Sequence, residues 1–393
     1  MRSSWDHFPR ETRGMSFVRH FRAAGRMLRP LAGFATAVAV GLLFCMALAL
    51  LLGVSPVELP ATIWNGAWGS WSSAATSLGK ATPLLLTGLA VSLAYQANLL
   101  NIGCEGQLTL GALAAASFSI AAAPLPRLLL LPLSLSVGAL VGGMWAYPAI
   151  WLRQRRGVHE VVSTLLMNYV AIYLSSYLVL GPLGDGSAMG RTPPIPASAI
   201  LQPITQVGST GLTPAPFLAL LLSIAAQIWL SKTLWGYEIM AVGNNFAAAR
   251  NAGISGDRWQ RRLFVLSGAL AGLAGALEMA AVHHRFYSAF SPGYGFDGIT
   301  AAFLVNGVPG WLWLSALLLA GLRAADKWLQ LALGVSPNAI LIIQAVMLLA
   351  VASQNRSRSL FDFLTASWSA VRRRAERNRP PPPAVGSGTG PSI

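Results

Sequence analysis

From Leu31 to residue 353 the chain repeats apolar runs that are nearly free of charge. They fall at 31–53, 81–100, 106–123, 128–152, 161–181, 214–231, 262–282, 296–307, 311–328 and 337–353. About 20 apolar residues in a helix cross the ~30 Å hydrocarbon core of a bilayer. In lipid each backbone group needs a partner inside the protein, and for runs of this length the helix supplies it. The sequence therefore predicts an all-α, polytopic transmembrane helical bundle of about ten spans, without a soluble domain of useful size. The run at 296–307 is short and precedes the breakers Gly307, Pro309 and Gly310, so it reads as a half-span or re-entrant segment.

Charge orients the bundle. Only 10% of residues are charged, against 54% hydrophobic, yet the formal net charge is +15. Of the 28 basic residues, 22 lie in four patches at 1–30, 153–156, 232–262 and 356–379. Positive patches beside spans mark the cytoplasmic side. With ten spans all four patches share one side, so both termini are expected in the cytoplasm. No basic domain remains outside the spans, which argues against nucleic-acid binding. Residues 1–30 read as a cytoplasmic basic segment leading into a retained first span, with a transit peptide as the competing reading. Residues 354–393 read as a tail in which Leu360, Leu364, Trp368 and Val371 form an amphipathic helix at the inner leaflet, followed by a Pro-rich end.

Outside the membrane, 54–80 carries Trp64, Trp68 and Trp71 at helical spacing, as an interfacial helix would. Residues 182–213, rich in Pro, Gly, Ser and Thr, read as a loop. Two small-residue pairs, Gly138/Gly142 and Gly268/Gly272, predict close helix contacts. The two cysteines, Cys45 and Cys104, sit in or beside apolar runs and read as buried small residues.

Chemistry motifs are sparse. The lysines are Lys80, Lys232 and Lys327, and none completes a phosphate-binding GxxxxGK[ST] loop. His283–His284 reads as an interfacial loop rather than a metal site. Two stretches stand out. One is NLLNIGCEGQ, Asn98 to Gln107, two amides, a carboxylate and a further amide between spans. The other is AVGNNFAAARNAGIS, Ala241 to Ser255. There Asn244 or Asn245 caps a short helix that Gly253 ends, and a second helix starts near Asp257. The short helix exposes Ala and Phe246, so it is either a tidy connector or a docking knob for a cytoplasmic protein.

These stretches carry a resemblance. AVGNNFAAARNAGIS is similar to the coupling loop of ABC importer permeases for branched-chain amino acids, simple sugars and nucleosides. NLLNIGCEGQLTLGALAA, HEVVSTLLMNYVAIYL, SGALAGLAGALE and GYGFDGITAAFL resemble, in order, motifs of the nucleoside branch. The similarity spans roughly 80–352. The chain departs from the pattern at VNGVPG, where a Gly-Arg-Asn-type turn is usual, and near Glu238 and Met240, where Arg is common. The resemblance implies a nucleoside permease subunit in a bacterial inner membrane, working by alternating access without covalent chemistry. It implies partner ATPase subunits that use ATP and Mg, a second permease subunit and an extracytoplasmic binding protein. Sugar or branched-chain amino acid permeases are the alternatives within the class. An ion-coupled secondary transporter, with Glu105, Glu278 or Asp297 as coupling carboxylate, is the alternative outside it.

Polar side chains inside spans face a cavity or a partner helix. Asn101, Glu105 and Gln107 either line the pathway or lock a helix break. Asn168, Tyr169 and Tyr173 either meet a nucleoside or tie helices together. Phe296 and Asp297 open the half-span, where Asp297 meets a ribose hydroxyl or pairs with Arg285. By the resemblance, Gly243, Asn244, Asn245, Phe246, Ala248, Arg250 and Gly253 form the ATPase-coupling interface within the loop at 232–261.

Overall fold

The computed structural model describes residues 12–353, apart from 208, 209 and 337, with side chains from residue 30 onward. The basic start of the N-terminal segment and the amphipathic tail at 354–393 lie outside the described residues.

Each of the ten apolar runs is helical. In chain order the helices are α1 (Thr12–Leu51), α2 (Glu58–Trp68), α3 (Trp71–Gln96), α4 (Cys104–Ala121), α5 (Arg127–Arg156), α6 (Glu160–Leu180), α7 (Ala215–Lys232), α8 (Leu234–Asn244), α9 (Phe246–Asn251), α10 (Gly256–Glu278), α11 (Tyr294–Leu304), α12 (Leu312–Leu333) and α13 (Asn338–Ser353). Among the described residues, six helices are long and apolar enough to cross a bilayer alone: α1, α3, α5, α6, α7 and α10. The bent pair α11–α12 adds a seventh at most, with 106° between its halves. The difference from ten has a local cause in each case. α4 opens on the polar turn Cys104–Gln107 inside the protein, α11 has 11 residues, and α13 is short.

Burial separates centre from rim. In α3 and α10, 83% and 78% of the apolar stretch is buried, against 22–28% in α1, α5, α6 and α7. The two glycine pairs meet one another: a Cβ on Gly272 would overlap the carbonyl oxygen of Gly138, and one on Gly142 that of Gly268. α5 and α10 therefore pack backbone to backbone, which lipid-embedded helices use in place of a hydrophobic drive.

The segment 54–80 forms two helices rather than one interfacial helix: Trp64 and Trp68 lie on α2, and Trp71 opens the helix of the second apolar run. α3 begins at Trp71, capped by Ser70 Oγ, which accepts from the Ser73 amide at 3.1 Å. α2 lies against its start, where Ser77 Oγ donates to Ala67 O at 2.7 Å. The 182–213 loop adds a small antiparallel hairpin, β1 (Thr205–Val207) with β2 (Thr210–Leu212), to the otherwise helical fold. Its neighbours are stitched to the end of α10: the Leu201 amide donates to Ala280 O and the Ile195 amide to His284 O, both at 3.0 Å.

Candidate functional site

After α3 the chain turns at Asn98, whose φ is +57°, and folds back into the bundle. Asn101 is fully buried. Its Nδ2 donates to Gln107 Oε1 at 2.8 Å and to Ser267 Oγ at 2.9 Å. Its Oδ1 accepts from the Gly103 amide at 2.9 Å and from Gln107 Nε2 at 3.1 Å. Ser267 in turn donates to Ala90 O, in the middle of α3. Asn168 of α6 accepts from the Gly106 amide and donates to Ile102 O, both at 2.9 Å. The amides of this stretch thus hold one another and the exposed backbone of a helix break at depth.

Glu105 reaches a different element. Its Oε2 accepts from the Gly295 amide at 2.7 Å, at the first turn of α11, and Ser291 Oγ accepts from the Tyr294 amide at 3.1 Å. A carboxylate at a helix N-terminus satisfies free N–H groups and the positive end of the dipole. α11 is thus a half-helix that begins inside the protein, tied to α3 by Thr87 Oγ1 donating to Tyr294 O at 3.1 Å. Asp297 pairs with Arg323 of α12, Nε to Oδ2 at 2.7 Å, and not with Arg285. The VNGVPG turn closes the other end: Gly307 O accepts from Ser92 Oγ at 2.6 Å and Gln96 Nε2 at 2.7 Å.

The remaining aromatic candidates face outward. Tyr169 is 53% and Tyr173 71% exposed on α6, and Phe296 is half-exposed on α11.

At the C-terminal end of α3 lies the short capped helix. Asn245 Oδ1 accepts from the Ala248 amide at 3.0 Å, α9 follows, and Gly253 turns the chain with φ +80°. Phe246 is 37% exposed, and its ring covers Gly256 at the start of α10. Gly243 packs so closely on Gln96 O that a side chain there would collide. Glu238 accepts from Trp259 Nε1 at 2.6 Å, joining α8 to α10. The Arg-rich end of α5 meets the same region: Arg153 pairs with Glu160, and Gln154 Nε2 donates to Asp257 O at 2.7 Å.

The other end of α3 opens a cavity of about 590 Å³, a size suited to a small organic ligand. Lys80 and Thr82 of α3, Glu278 and His283 at the end of α10, Tyr294 of α11 and Lys327 of α12 line it, under the β1–β2 hairpin. Lys80 stands about 24 Å along the helix from Gln96, so the cavity and the short capped helix occupy opposite ends of the bundle. Backbone irregularity gathers here. Met279–His283 forms a π-helical turn, and His284 has φ +56°. Such departures concentrate at functional sites. Burial and the neighbouring His283 push the His284 imidazole below its ordinary value. In the 182–213 loop, Asp185 is held down to about 2 by Ser187, whose amide donates to it at 2.9 Å, and by Arg191.

Of the residues named from sequence as pathway or coupling candidates, Glu278 lines this cavity and the others do not. Lys80 and Lys327 sit near ends of apolar stretches, where a lysine reads as a snorkelling surface group. Glu278 follows an Ala/Gly-rich packing motif. No local pattern joins residues drawn from four helices. Among the described residues no group of three His, Cys, Asp or Glu side chains could hold a metal ion.

A helical bundle with apolar spans, two central helices and a polar cavity at one end is a multi-pass membrane protein with a solute-sized chamber. Comparison with known proteins gives the family. Residues 73–352 match the branched-chain amino acid transport system / permease component family, and the chain belongs to it. It is 36% identical to the glucose ABC transporter permease protein TsgB13 of Haloferax volcanii, over 76% of this chain and 80% of that one. It is 33% identical to the guanosine ABC transporter permease protein NupP of Bacillus subtilis, over 81% and 91%. Identity to the nucleoside ABC transporter permease protein NupB of Lactococcus lactis is 28%, over 80% and 89%. No solved structure matches the chain.

Proposed function

We propose that the chain is the membrane permease subunit of an ATP-binding cassette importer that carries nucleosides by alternating access. The observation that carries this is the pairing of a polar cavity at one end of α3 with a capped short helix at the other. The Arg patches beside α9 support a cytoplasmic position for that end by the positive-inside bias, and on this reading the cavity faces outward. Both termini lie inside, with about ten membrane segments counting the half-helix. Gly243, Asn244, Asn245, Phe246, Ala248, Arg250 and Gly253 form or support the surface where partner ATPase subunits, which use ATP and Mg, dock. A second permease subunit and an extracytoplasmic binding protein complete the assembly, in a bacterial cell membrane.

NupP and NupB, over most of their length, favour nucleosides as substrate. TsgB13 favours the second reading, a sugar. Glucose and ribonucleosides share adjacent hydroxyls, so one chamber chemistry is compatible with both.

The test is uptake of labelled guanosine, uridine and glucose by vesicles holding the complete assembly, with and without ATP. Nucleoside uptake that needs ATP is expected. Uptake by the permease alone in an ion gradient would identify a secondary transporter instead. The variant Phe246→Asp is expected to lose co-purification with the ATPase. Because the ring also rests on Gly256, the thermal midpoint of the isolated permease is the control; loss of association at an unchanged midpoint assigns the docking role, and retained co-purification removes it.

A further inference from the structure

We propose that Glu278 is the acceptor for two adjacent hydroxyl groups on the transported molecule, held in the cavity at the outer end of α3. The inference rests on the importer reading above and adds to it the group that recognises the sugar part of the substrate.

Glu278 is 3% exposed, yet no hydrogen bond to its carboxylate exists among the described residues. Among the described residues its nearest possible partner is His283, whose Nε2 lies 3.6 Å from Oε1, beyond hydrogen-bond distance. A carboxylate offers about four acceptor sites, and a buried one left without donors is costly unless something supplies them. Contrast the other buried carboxylates: Glu105 holds the Gly295 amide, Asp297 holds Arg323, and Glu160 holds Arg153. Each of those accepts a hydrogen bond from a structural donor, whereas Glu278 lines a cavity.

The surroundings narrow the donor. The hydroxyl of Thr82, on the same lining, is buried without a hydrogen-bond partner among the described residues. The Tyr294 ring, at the start of the half-helix, lines the floor. Lys80 and Lys327 carry two positive charges, and no ion pair among the described residues involves either. The carboxylates whose charge acts on Lys80 are Asp326 and Glu278. Two lining lysines face one lining carboxylate, Glu278, with Asp326 acting on Lys80 from outside the lining, so the wall offers donors and an acceptor side by side. A neutral ligand with several hydroxyls suits each group. Adjacent hydroxyls donate to the two Glu278 oxygens, and ring or hydroxyl oxygens accept from a lysine. The π-helical turn Met279–His283 directly after Glu278 breaks the helix ladder at this point, in the wall the ligand would touch.

The experiment is direct binding of labelled uridine, 2′-deoxyuridine and 2′,3′-dideoxyuridine to the complete permease–ATPase complex in lipid nanodiscs. The binding protein is omitted, so that its own selectivity does not enter. The unaltered complex is expected to prefer uridine over the dideoxy compound by about 10-fold or more, as for hydrogen bonds to a charged group. Glu278→Gln is expected to erase most of that preference while affinity for the dideoxy compound changes little. Glu278→Asp, which keeps the charge but withdraws it, is expected to give an intermediate preference. Undiminished preference in both variants overturns the proposal even if nucleosides are transported normally. If the complex binds glucose and no nucleoside, the nucleoside reading fails, and glucose against 2-deoxyglucose and 3-deoxyglucose in the same variants still decides the role of Glu278. Should Glu278→Gln fail to assemble, Tyr294→Phe and Glu278→Asp carry the test, and full preference in both overturns it.

Discussion

Asn101 is a side chain with all its hydrogen-bonding capacity spent inside the protein. It joins Gly103, Gln107 and Ser267, and through Ser267 the middle of α3. Truncation to Ala strands the Gly103 amide and the Gln107 amide group in a buried place, at about 1–3 kcal/mol for each unsatisfied group. Asn101→Ala is therefore expected to lower the thermal midpoint of the purified permease by several degrees. Asn101→Asp, which sets an acceptor against Gln107 Oε1 and buries a charge, should lower it at least as much as Ala does. A midpoint equal to that of the unaltered protein would mean that this stretch is not the lock its geometry describes. The polar nature of NLLNIGCEGQ is plain in the sequence, but its partners are not: Ser267 and Gly295 are 166 and 190 residues away from Asn101 and Glu105. Local spacing reports that a residue is polar and buried, and is silent on whom it meets.

Among the elements, the α5–α10 contact was the most legible, because two small-residue pairs four apart announce close packing by themselves. Gly272 is the point of contact for both α4 and α5. Gly272→Leu is expected to force these helices apart and to cost about 1–3 kcal/mol or more, read as loss of folded protein in detergent. Gly272→Ala tests the same point gently. The short helix α9 was equally legible, since Asn245 and Gly253 are local signals; Asn245→Ala should cost ~1 kcal/mol and fray α9 in hydrogen exchange. The hairpin β1–β2 was not. Its strands have three residues each, too few to establish a two-residue period. The cavity it covers was hidden for a related reason, that its wall is drawn from α3, α10, α11 and α12 at positions unremarkable within each.

Across the whole molecule, α3 is the ruler along which function is arranged. Its first half lines the cavity and its last residue meets both the short-helix region and the end of the half-helix. Gln96 holds the Gly307 carbonyl, while Gly243 abuts the Gln96 backbone. A displacement of α8 therefore has a contiguous route to α11, whose start forms the cavity floor. The two ends also give the orientation a direct test. Cys45 and Cys104 are buried, so they supply a quiet background for labelling. In intact cells an impermeant maleimide is expected to label Gln202→Cys, on the cavity-side loop, and to spare Arg250→Cys on α9. The reverse pattern would invert the bundle.

The half-helix has a consequence for how the protein is made. At 11 residues α11 is too short to partition into a bilayer by its own hydrophobicity. Glu105 leaves the ribosome 190 residues ahead of Gly295, and Thr87 earlier still. The receptor for α11 is therefore synthesised before α11 itself exists. Biogenesis of this protein is ordered by that fact: the last third of the chain is threaded into a seat the first third has prepared, and a nascent chain lacking the seat would leave α11 stranded for quality control to find.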